Sequence, residues 1–398
     1  MRKSNRAKKP SLFMKIMLPI ARILLGATFL FSGFVKGIDP WGSAYKFSDY
    51  FTSFGWQFFI PLAFPLGVLL AAAEFSIGVA LVFKLWVRFT SWIALLFMVF
   101  FTFLTLYIAI TNPVTDCGCF GDALVLTNWQ TFYKNIVFSG LAVLVFQKRK
   151  LSQSRKKTIV PALLSGITLL VYSGLVIYSY KHLPLIDFRP YKIGVNIPEA
   201  MRIPEGAPVD IYKTTFQYKN KETGKMKSFT EENYPWQDTL KWEYVLVESK
   251  LVKAGYKPPI HDFTMESEYG DDVKDFFLHD QGYTFLLIAY DLQKTNQKAF
   301  EKVNKLAQYA IANNMQFAGM TASVRSVIDE FSEATGVPFE FFSCDEITLK
   351  TIVRSNPGLL LLKKGTIIAK WHYNDIPDET QIDQIKQQYE ATDKAVKL

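Results

Sequence analysis

The sequence predicts a multi-pass α-helical membrane bundle followed by a soluble α/β domain. Up to about Tyr180 the chain consists of long apolar stretches with few charges, and after Lys181 it has the mixed composition of a soluble protein. From about Gly255 onward, short apolar runs of strand length alternate with segments of helical periodicity. The 398 residues and their mean hydropathy of +0.11 therefore combine two unlike halves, and this length favours at least two domains.

Five apolar segments are long enough to form membrane helices, each of which requires about 20 mostly apolar residues. The first is too long for a secretory signal peptide and is followed by no small-residue cleavage site, so we expect it to remain as an anchor. We predict a four-helix domain over 13–148 and a fifth transmembrane helix over 158–180. The five segments lie at 13–36, 60–83, 89–111, 131–147 and 158–180.

Basic residues flank these segments and predict their orientation. They are concentrated in the N-terminal residues 1–12 and in the loops 84–88 and 148–157, whereas the loops 37–59 and 112–130 contain several acids. Lysine and arginine accumulate on the cytoplasmic side of membranes, so we predict a cytoplasmic N terminus in a bacterial inner membrane and, after five crossings, a periplasmic C-terminal half. The net charge of +9 is explained by topology, with membrane lipid and not nucleic acid as the partner.

Two of the three cysteines lie in one predicted periplasmic loop, in the sequence Asp-Cys-Gly-Cys-Phe-Gly at 116–121. Disulfide-bonded cysteines have Cα atoms about 4.4–6.8 Å apart, a separation that Cys117 and Cys119 can reach if the chain bends. Gly118 between them tolerates such a bend because it lacks a Cβ. So small a ring would be strained and easily reduced. Disulfides can form and persist in the periplasm.

Three interpretations of this pair are open: a reactive dithiol, a metal site and a static crosslink. A metal site would need more His or Cys ligands, and no histidine precedes the end of the last membrane helix. A crosslink over so short a loop would remove little unfolded-state entropy. We favour the reactive dithiol, with Cys117 and Cys119 as the catalytic residues and no metal.

Three charged residues lie within the predicted helices, where ionisable groups are costly. Arg22 lies within the first helix, Lys36 closes it, and Glu74 is in the middle of the second. The simplest expectation is that Arg22 and Glu74 pair and fix the helix packing. The alternative is a buried charge that tunes a nearby redox group.

Together with Gly26, Gly33 and Gly78, these charges and the Cys-Gly-Cys-Phe-Gly stretch resemble the DoxX/MauE group of small membrane proteins over about 13–148. The resemblance implies a membrane bundle that presents a redox dithiol. MauE-type proteins are linked to methylamine dehydrogenase maturation, in which a partner enzyme acquires many disulfides. DoxX-type proteins are linked to quinone-coupled oxidation, which makes a quinone the candidate cofactor. Nothing in the residues requires methylamine metabolism.

The periplasmic half begins with a proline-rich linker and a small β-rich insertion over 184–254. Runs at 209–218 and 241–247 alternate as strands do, and 220–225 is a plausible hairpin turn. We predict a separate domain over 255–398, with strands at 284–290, 316–321 and 338–342 and a hairpin at 356–371.

This order of elements resembles the periplasmic, TlpA-like type of thioredoxin fold. The resemblance implies that Pro357, directly before the penultimate strand, is cis and faces the active site. The Cys-x-x-Cys of a thioredoxin would follow the first strand near 291–296, but no cysteine is there. Without that thiolate the domain cannot exchange disulfides in the usual way. It is therefore predicted to be a binding module or a degenerate relay.

Cys344 is the only thiol of this domain. An unpaired cysteine is unusual on the periplasmic side. It is either a small buried residue or a candidate partner thiol, able to form a mixed disulfide with a client or with the Cys117/Cys119 pair.

Two functions from different classes follow. The favoured one is a component of a thiol–disulfide oxidoreductase system, whose Cys-Gly-Cys loop exchanges disulfides with a periplasmic partner, either a thioredoxin-like protein or a client protein, and passes electrons to a quinone. The alternative is a non-enzymatic scaffold or assembly factor, whose thioredoxin-like domain binds a client protein while the cysteines are structural.

Overall fold

The computed structural model describes residues 11–151, 159–253 and 255–396. Most of the basic N-terminal segment and the basic residues 155–157 lie outside the described residues. The helices are α1 Leu12–Ile38, α2 Pro40–Ser53, α3 Ala63–Phe83, α4 Val87–Thr111, α5 Asn128–Gln147, α6 Ile159–Lys181, α7 Ile197–Met201, α8 Lys274–Leu278, α9 Phe300–Ala312, α10 Arg325–Thr335, α11 Glu346–Ile352 and α12 Glu379–Val396. The strands are β1 Ile211–Asn220, β2 Met226–Thr230, β3 Trp242–Lys253, β4 Tyr283–Ile288, β5 Gln316–Thr321, β6 Phe341–Ser343, β7 Gly358–Lys363 and β8 Thr366–His372.

Within the described residues, four segments are long and apolar enough to cross a membrane. They are Leu12–Ile38, Gln57–Phe83, Val87–Thr111 and Ile159–Lys181. The segment predicted at 131–147 forms α5 but is not one of the four. Its first turns carry polar residues, including Asn128 and Asn135, that bind the backbone of the preceding loop and of α4.

The helix α5 nevertheless runs antiparallel to α4 along most of its length. The Asn128 side chain bonds to Asn112 at the end of α4, and Phe146 packs on Trp92 in the second turn of α4. At 1.5 Å per residue its 20 residues span about 30 Å, the thickness of a hydrocarbon core. The helix α5 is therefore long enough to cross the membrane beside α4, and the five crossings remain a prediction.

The helices α1 and α3 pack closely through two glycines. A Cβ on Gly33 would lie 2.4 Å from the backbone nitrogen of Phe75, and one on Gly78 would lie 2.4 Å from that of Leu30. Neither position has room for a side chain. As at many membrane helix interfaces, small residues here allow the two backbones to approach closely.

The predicted β insertion forms a three-stranded antiparallel sheet with the order β2-β1-β3. The hairpin turn is capped by Asn220, whose Oδ1 accepts from the backbone N–H groups of Glu222 and Thr223. The strand β3 extends to Lys253, six residues beyond the predicted end, because it pairs with β1 along its whole length.

The C-terminal domain is built on a five-stranded sheet with the order β6-β5-β4-β7-β8. The strands β4, β5 and β6 are parallel, β7 is antiparallel to β4, and β8 forms a hairpin with β7. One apolar core on each face of the sheet covers the fully buried strand β4. This is the thioredoxin-like topology that the sequence predicts, and the peptide bond before Pro357 is cis, as expected.

Arg354 lies two residues after the end of α11 and docks this domain onto the bundle. Its guanidinium lies 3.0 Å from the carboxylate of Asp39 and 3.3 Å from that of Asp122. Asp39 follows α1, and Asp122 follows the Cys-Gly-Cys loop. The side chains of Arg354 and Asp39 are 6% and 19% exposed, so this ion pair is largely shielded from solvent, whereas Asp122 is 42% exposed. The thioredoxin-like domain and the Cys-Gly-Cys loop therefore lie on the same side of the bundle.

We expect the substitution Arg354→Met to weaken this docking. Removing one partner of a buried ion pair typically costs about 3–5 kcal/mol, because the remaining charge stays buried. Hydrogen–deuterium exchange should increase at the start of α2 and in residues 353–357. The variant Arg354→Lys, which keeps the charge, should show a smaller increase. Unchanged exchange in Arg354→Met would show that the ion pairs do not hold the domains together.

The docking should also depend on pH. Burial raises the pKa of Asp39, but the charges of Arg354 and Arg189 outweigh burial and hold the pKa below its usual value. A carboxyl group with a lowered pKa stabilises the docked state above its ordinary pKa of about 4, and this contribution is lost as the pH falls through the lowered value. Exchange in α2 should therefore rise below about pH 4 in the wild-type protein and less so in Arg354→Met.

Candidate functional site

The Cys-Gly-Cys loop lies between α4 and α5 and is held in a sharp turn. Asp116 Oδ1 accepts from the backbone N–H of Gly118 at 2.8 Å, and its Oδ2 lies 2.7 Å from Lys46 Nζ. Gly118 has a φ of +66° and Gly121 a φ of +51°, a region that favours glycine. The sequence expectation that Gly118 permits the bend is confirmed.

Two further side chains fix the backbone of the loop to the bundle. The Tyr50 hydroxyl donates to the Cys117 carbonyl oxygen at 3.0 Å. The Ser32 hydroxyl lies 2.6 Å from the Cys119 carbonyl oxygen. Both carbonyls that flank Gly118 are therefore bound from the membrane domain, one from α2 and one from α1.

The two cysteines are free thiols whose sulfur atoms are 3.0 Å apart. The Cys117 thiol hydrogen-bonds to Cys119 and lowers the pKa of Cys119 to about 6. Burial opposes this effect, while the ammonium groups of Lys134 and Lys36 reinforce it. The same hydrogen bond and burial raise the pKa of Cys117 well above its usual value. Because the thiolate is the nucleophile in disulfide exchange, Cys119 is the member of the pair that can attack.

A buried ion pair lies beneath the loop. Lys36 Nζ is 2.8 Å from Glu74 Oε2 and 2.9 Å from Oε1. The Ser32 hydroxyl is 2.9 Å from Glu74 Oε2, and having one proton it can donate either to Glu74 or to the Cys119 carbonyl. The bundle charges Lys36 and Glu74 are thus joined to the loop through Ser32.

The expected pair between Arg22 and Glu74 is wrong. The Arg22 guanidinium instead donates to the backbone carbonyls of Leu81 and Val82 at the end of α3. In this position it binds the last carbonyls of the helix, which lack intrahelical partners. Arg22 therefore lies about two turns of α3 away from Glu74 and takes no part in the site.

The thiols line an apolar cavity of about 700 Å³ within the membrane domain. Cys117, Cys119, Lys36 and Glu74 are among its polar lining residues, which also include Ser32, Lys46, Lys134 and Asn135. Most of the other lining side chains, from α1 to α5, are aromatic or aliphatic. Among the lining residues, Leu69 is 65% exposed and Phe100 61%, so the cavity reaches the lipid-facing surface of the bundle. Its remaining lining includes Leu25, Phe29, Phe51, Trp56, Leu70, Phe101 and Phe138.

A second cavity, of about 970 Å³, lies between the bundle and the thioredoxin-like domain. The backbone of Gly118 lines it, but the two cysteines do not. On the other side it is lined by Tyr290, Asn296 and Asn356, the part of the domain where a thioredoxin would carry its cysteines. The face of the domain that contains Pro357 is thus directed towards the bundle.

The segment Asp291–Asn296, which replaces the Cys-x-x-Cys, is bound to the residue before Pro357. The backbone N–H of Asn296 donates to the carbonyl of Asn356, and the side chain of Asn356 donates to the carbonyl of Asp291. Cys344 is only 7% exposed and belongs to the apolar core on one face of the sheet, where burial raises its pKa. This placement favours the interpretation of Cys344 as a small core residue.

Sequence reasoning missed Ser32, Tyr50 and Arg354. Ser32 could have been found, because it lies four residues before Lys36 and therefore on the same face of α1. Tyr50 and Arg354 act on residues 67 and 315 positions away, respectively, and no local pattern indicates such contacts. Among the described residues there is no cluster of three His, Cys, Asp or Glu side chains that could hold a metal ion.

In the reduced protein, Cys119 should react with iodoacetamide with a midpoint near pH 6, its pKa in the folded protein. In Cys117→Ser the midpoint should move up towards the ordinary thiol value of about 8.5, because the serine hydroxyl is a weaker stabiliser of the thiolate than the coupled thiol. Rates are measured by peptide mass spectrometry from pH 4 to 10. Cys344 is the internal control and should react slowly. A midpoint near 8.5 for Cys119 in both proteins would contradict the prediction.

Two known families match parts of the chain. The family of methylamine utilisation protein MauE matches residues 14–147, the part that contains the cavity and the Cys-Gly-Cys loop. A second family, described as a domain of unknown function (DUF8463), matches residues 212–254, the three-stranded sheet. No curated protein matches the chain.

Two solved structures are similar to part of the chain. One is a proposed thioredoxin from Neisseria meningitidis, 16% identical, with 32% of this chain and 86% of that chain covered and a TM-score of 0.27. The other is a proposed protein disulfide isomerase from Bacteroides thetaiotaomicron, 14% identical, with coverages of 32% and 84% and a TM-score of 0.25. The chain thus combines a membrane domain similar to the MauE family over residues 14–147 with a C-terminal domain that has the strand order of a thioredoxin-like fold.

Proposed function

We propose that this protein is a thiol–disulfide redox protein of the bacterial inner membrane, in which Cys117 and Cys119 are the reacting pair. The observation that carries the proposal is the position of two adjacent free thiols at the wall of an apolar, lipid-facing cavity. The predicted orientation, with the loop and the thioredoxin-like domain in the periplasm, places the pair where disulfides persist.

The two thiols have different roles in the exchange with a periplasmic partner, because the pKa of Cys119 is lowered and that of Cys117 is raised. In one direction, the Cys119 thiolate attacks a disulfide of the partner, forms a mixed disulfide and releases one partner thiol. Cys117 then attacks the Cys119 sulfur, and the partner leaves fully reduced. In the reverse direction the loop disulfide oxidises a partner dithiol. The relative reduction potentials set the direction, and an oxidant that regenerates the loop disulfide favours the second.

A quinone is the substrate that fits the cavity as this oxidant. Its apolar ring and tail match the aromatic and aliphatic lining, and the cavity reaches the lipid-facing surface at Leu69 and Phe100. A two-electron oxidation forms the S–S bond from the two thiols and transfers two electrons and two protons to the quinone, which becomes a quinol. The thioredoxin-like domain, having no cysteine pair, would position partners and not react itself.

The test uses the full chain, reduced and purified in lipid nanodiscs. Adding a short-chain benzoquinone or naphthoquinone should convert one quinone to quinol per protein, with loss of the free thiols of Cys117 and Cys119 measured by mass spectrometry. Cys344→Ser should behave as the wild type. The double variant Cys117→Ser, Cys119→Ser should produce no quinol, and quinol formation at the wild-type rate in this variant would refute the assignment.

A second experiment separates redox exchange from a scaffold function. Cys117→Ser leaves the attacking Cys119 without its resolving thiol, so mixed disulfides with periplasmic proteins should accumulate in acid-quenched, alkylated cells. The matched variant Cys119→Ser should accumulate fewer. If neither variant traps a protein, and the double variant leaves the redox state of periplasmic proteins unchanged, the scaffold alternative replaces exchange with partners.

A further inference from the structure

We propose that Lys36 and Glu74 form a proton-transfer site for the Cys117/Cys119 pair, in which Lys36 exchanges protons between the thiol cavity and the interdomain cavity. The inference rests on the proposed function and adds to it the two residues that move protons and the route those protons take. It begins from an ion pair that helix packing alone does not require, since a buried pair of charges is costly to desolvate.

The geometry places this pair at the reacting loop. Lys36 Nζ contacts both carboxylate oxygens of Glu74 at 2.8 and 2.9 Å and the Ser32 hydroxyl at 3.2 Å. Ser32 in turn contacts the Cys119 carbonyl. Lys36 and Glu74 both line the cavity into which the thiols open. The side chains of Lys36 and Glu74 are 11% and 9% exposed, so both are largely withdrawn from solvent.

Lys36 also lines the second cavity, between the domains. That cavity has charged walls contributed by both domains, among them Asp39, Lys294 and Arg354. A proton carried by Lys36 can therefore be exchanged on either side of the loop. Of the two cavities, Glu74 lines only the thiol cavity. Its carboxylate therefore lies on the side of the Lys36 ammonium group that faces the thiols.

The reaction requires such a site because protons must move as well as electrons. When the pair is oxidised, two S–H bonds break, one S–S bond forms, and two electrons and two protons pass to the quinone, whose two carbonyl oxygens become hydroxyl groups. In an apolar cavity there is little water to carry protons. Each of the two protons follows the same route: Glu74 accepts a proton from a thiol, Lys36 donates one to a quinone oxygen, and proton transfer from Glu74 to Lys36 restores both charges. Where Cys119 has already released its proton, Lys36 takes up the second proton from the interdomain cavity, which it also lines.

The other titratable groups around the thiols are differently engaged. Lys46 of α2 is paired with Asp116, and the Tyr50 hydroxyl donates to the Cys117 carbonyl. Lys134 of α5 lies 4.3 Å from the centre of the Phe120 ring. Among the described residues that line the thiol cavity, Lys36 and Glu74 are therefore the acid and base in direct contact with each other.

The experiment compares Lys36→Met, Lys36→Arg and Glu74→Gln in the full chain in nanodiscs. Lys36→Arg retains the positive charge but cannot release a proton near neutral pH, so it separates charge from proton transfer. The control is Lys15→Met, the same change on an exposed position of the same helix. Two quantities are measured: the rate of quinol formation from a short-chain benzoquinone, and the pH midpoint of Cys119 alkylation.

We expect Lys36→Met to slow quinol formation by about 100-fold, a typical contribution of general acid–base catalysis, and to move the Cys119 midpoint upward. Lys36→Arg should restore the midpoint but not the rate. Glu74→Gln should also slow quinol formation, and Lys15→Met should leave both quantities unchanged. The wild-type rate in Lys36→Arg would overturn the proposal, because a charge alone would then suffice.

If Lys36→Met does not fold, the double variant Lys36→Met, Glu74→Gln replaces it, because the double variant leaves no unpaired buried charge. The same slow rate of quinol formation is expected. The alkylation midpoint requires no quinone. An unchanged alkylation midpoint in Lys36→Met would therefore overturn the inference, whether or not the wild-type protein forms quinol. If the wild-type protein forms no quinol, that outcome refutes the proposed quinone coupling.

Discussion

The close contact of α1 and α3 is the constraint on which the site depends. Gly33 and Gly78 allow the two helix backbones to touch, and at that separation Lys36 of one helix reaches Glu74 of the other. The same contact directs Ser32 towards the Cys119 carbonyl. A buried ion pair adds little net stability by itself. Here its position, directly below the cysteine loop, connects helix packing to the chemistry proposed for the loop.

The two domains contribute different things to the site. The membrane domain holds both thiols, their charged neighbours and the apolar cavity. The thioredoxin-like domain has kept its sheet order and Pro357 but has Asp291–Asn296 where a cysteine pair would stand. Arg354 docks this face over the bundle by binding a residue that follows α1 and a residue that follows the loop. The face that would carry a thioredoxin's cysteines and the Cys-Gly-Cys loop therefore both border the interdomain region, whereas the two thiols open on the other side of the loop into the apolar cavity.

Most of the fold could be predicted from the sequence, because membrane helices and buried strands leave strong local patterns. The partner of Glu74 could not. Arg22 and Lys36 lie on the same helix, 14 positions apart, and so about 21 Å apart along its axis. Either could pair with Glu74, and the choice depends on the level at which α3 crosses α1. The contact between Gly33 and Phe75 fixes that level.

The sequence by itself determined the membrane segments, the location of the only dithiol and the lack of a cysteine pair in the thioredoxin-like domain, since each is a property of composition or spacing. Only the tertiary structure decided that the thiols open into an apolar cavity, that Lys36 pairs with Glu74, and that Arg354 joins the domains. Each of these depends on side chains distant in the chain, and such contacts are set by how whole elements pack, a property that no local pattern of residues encodes.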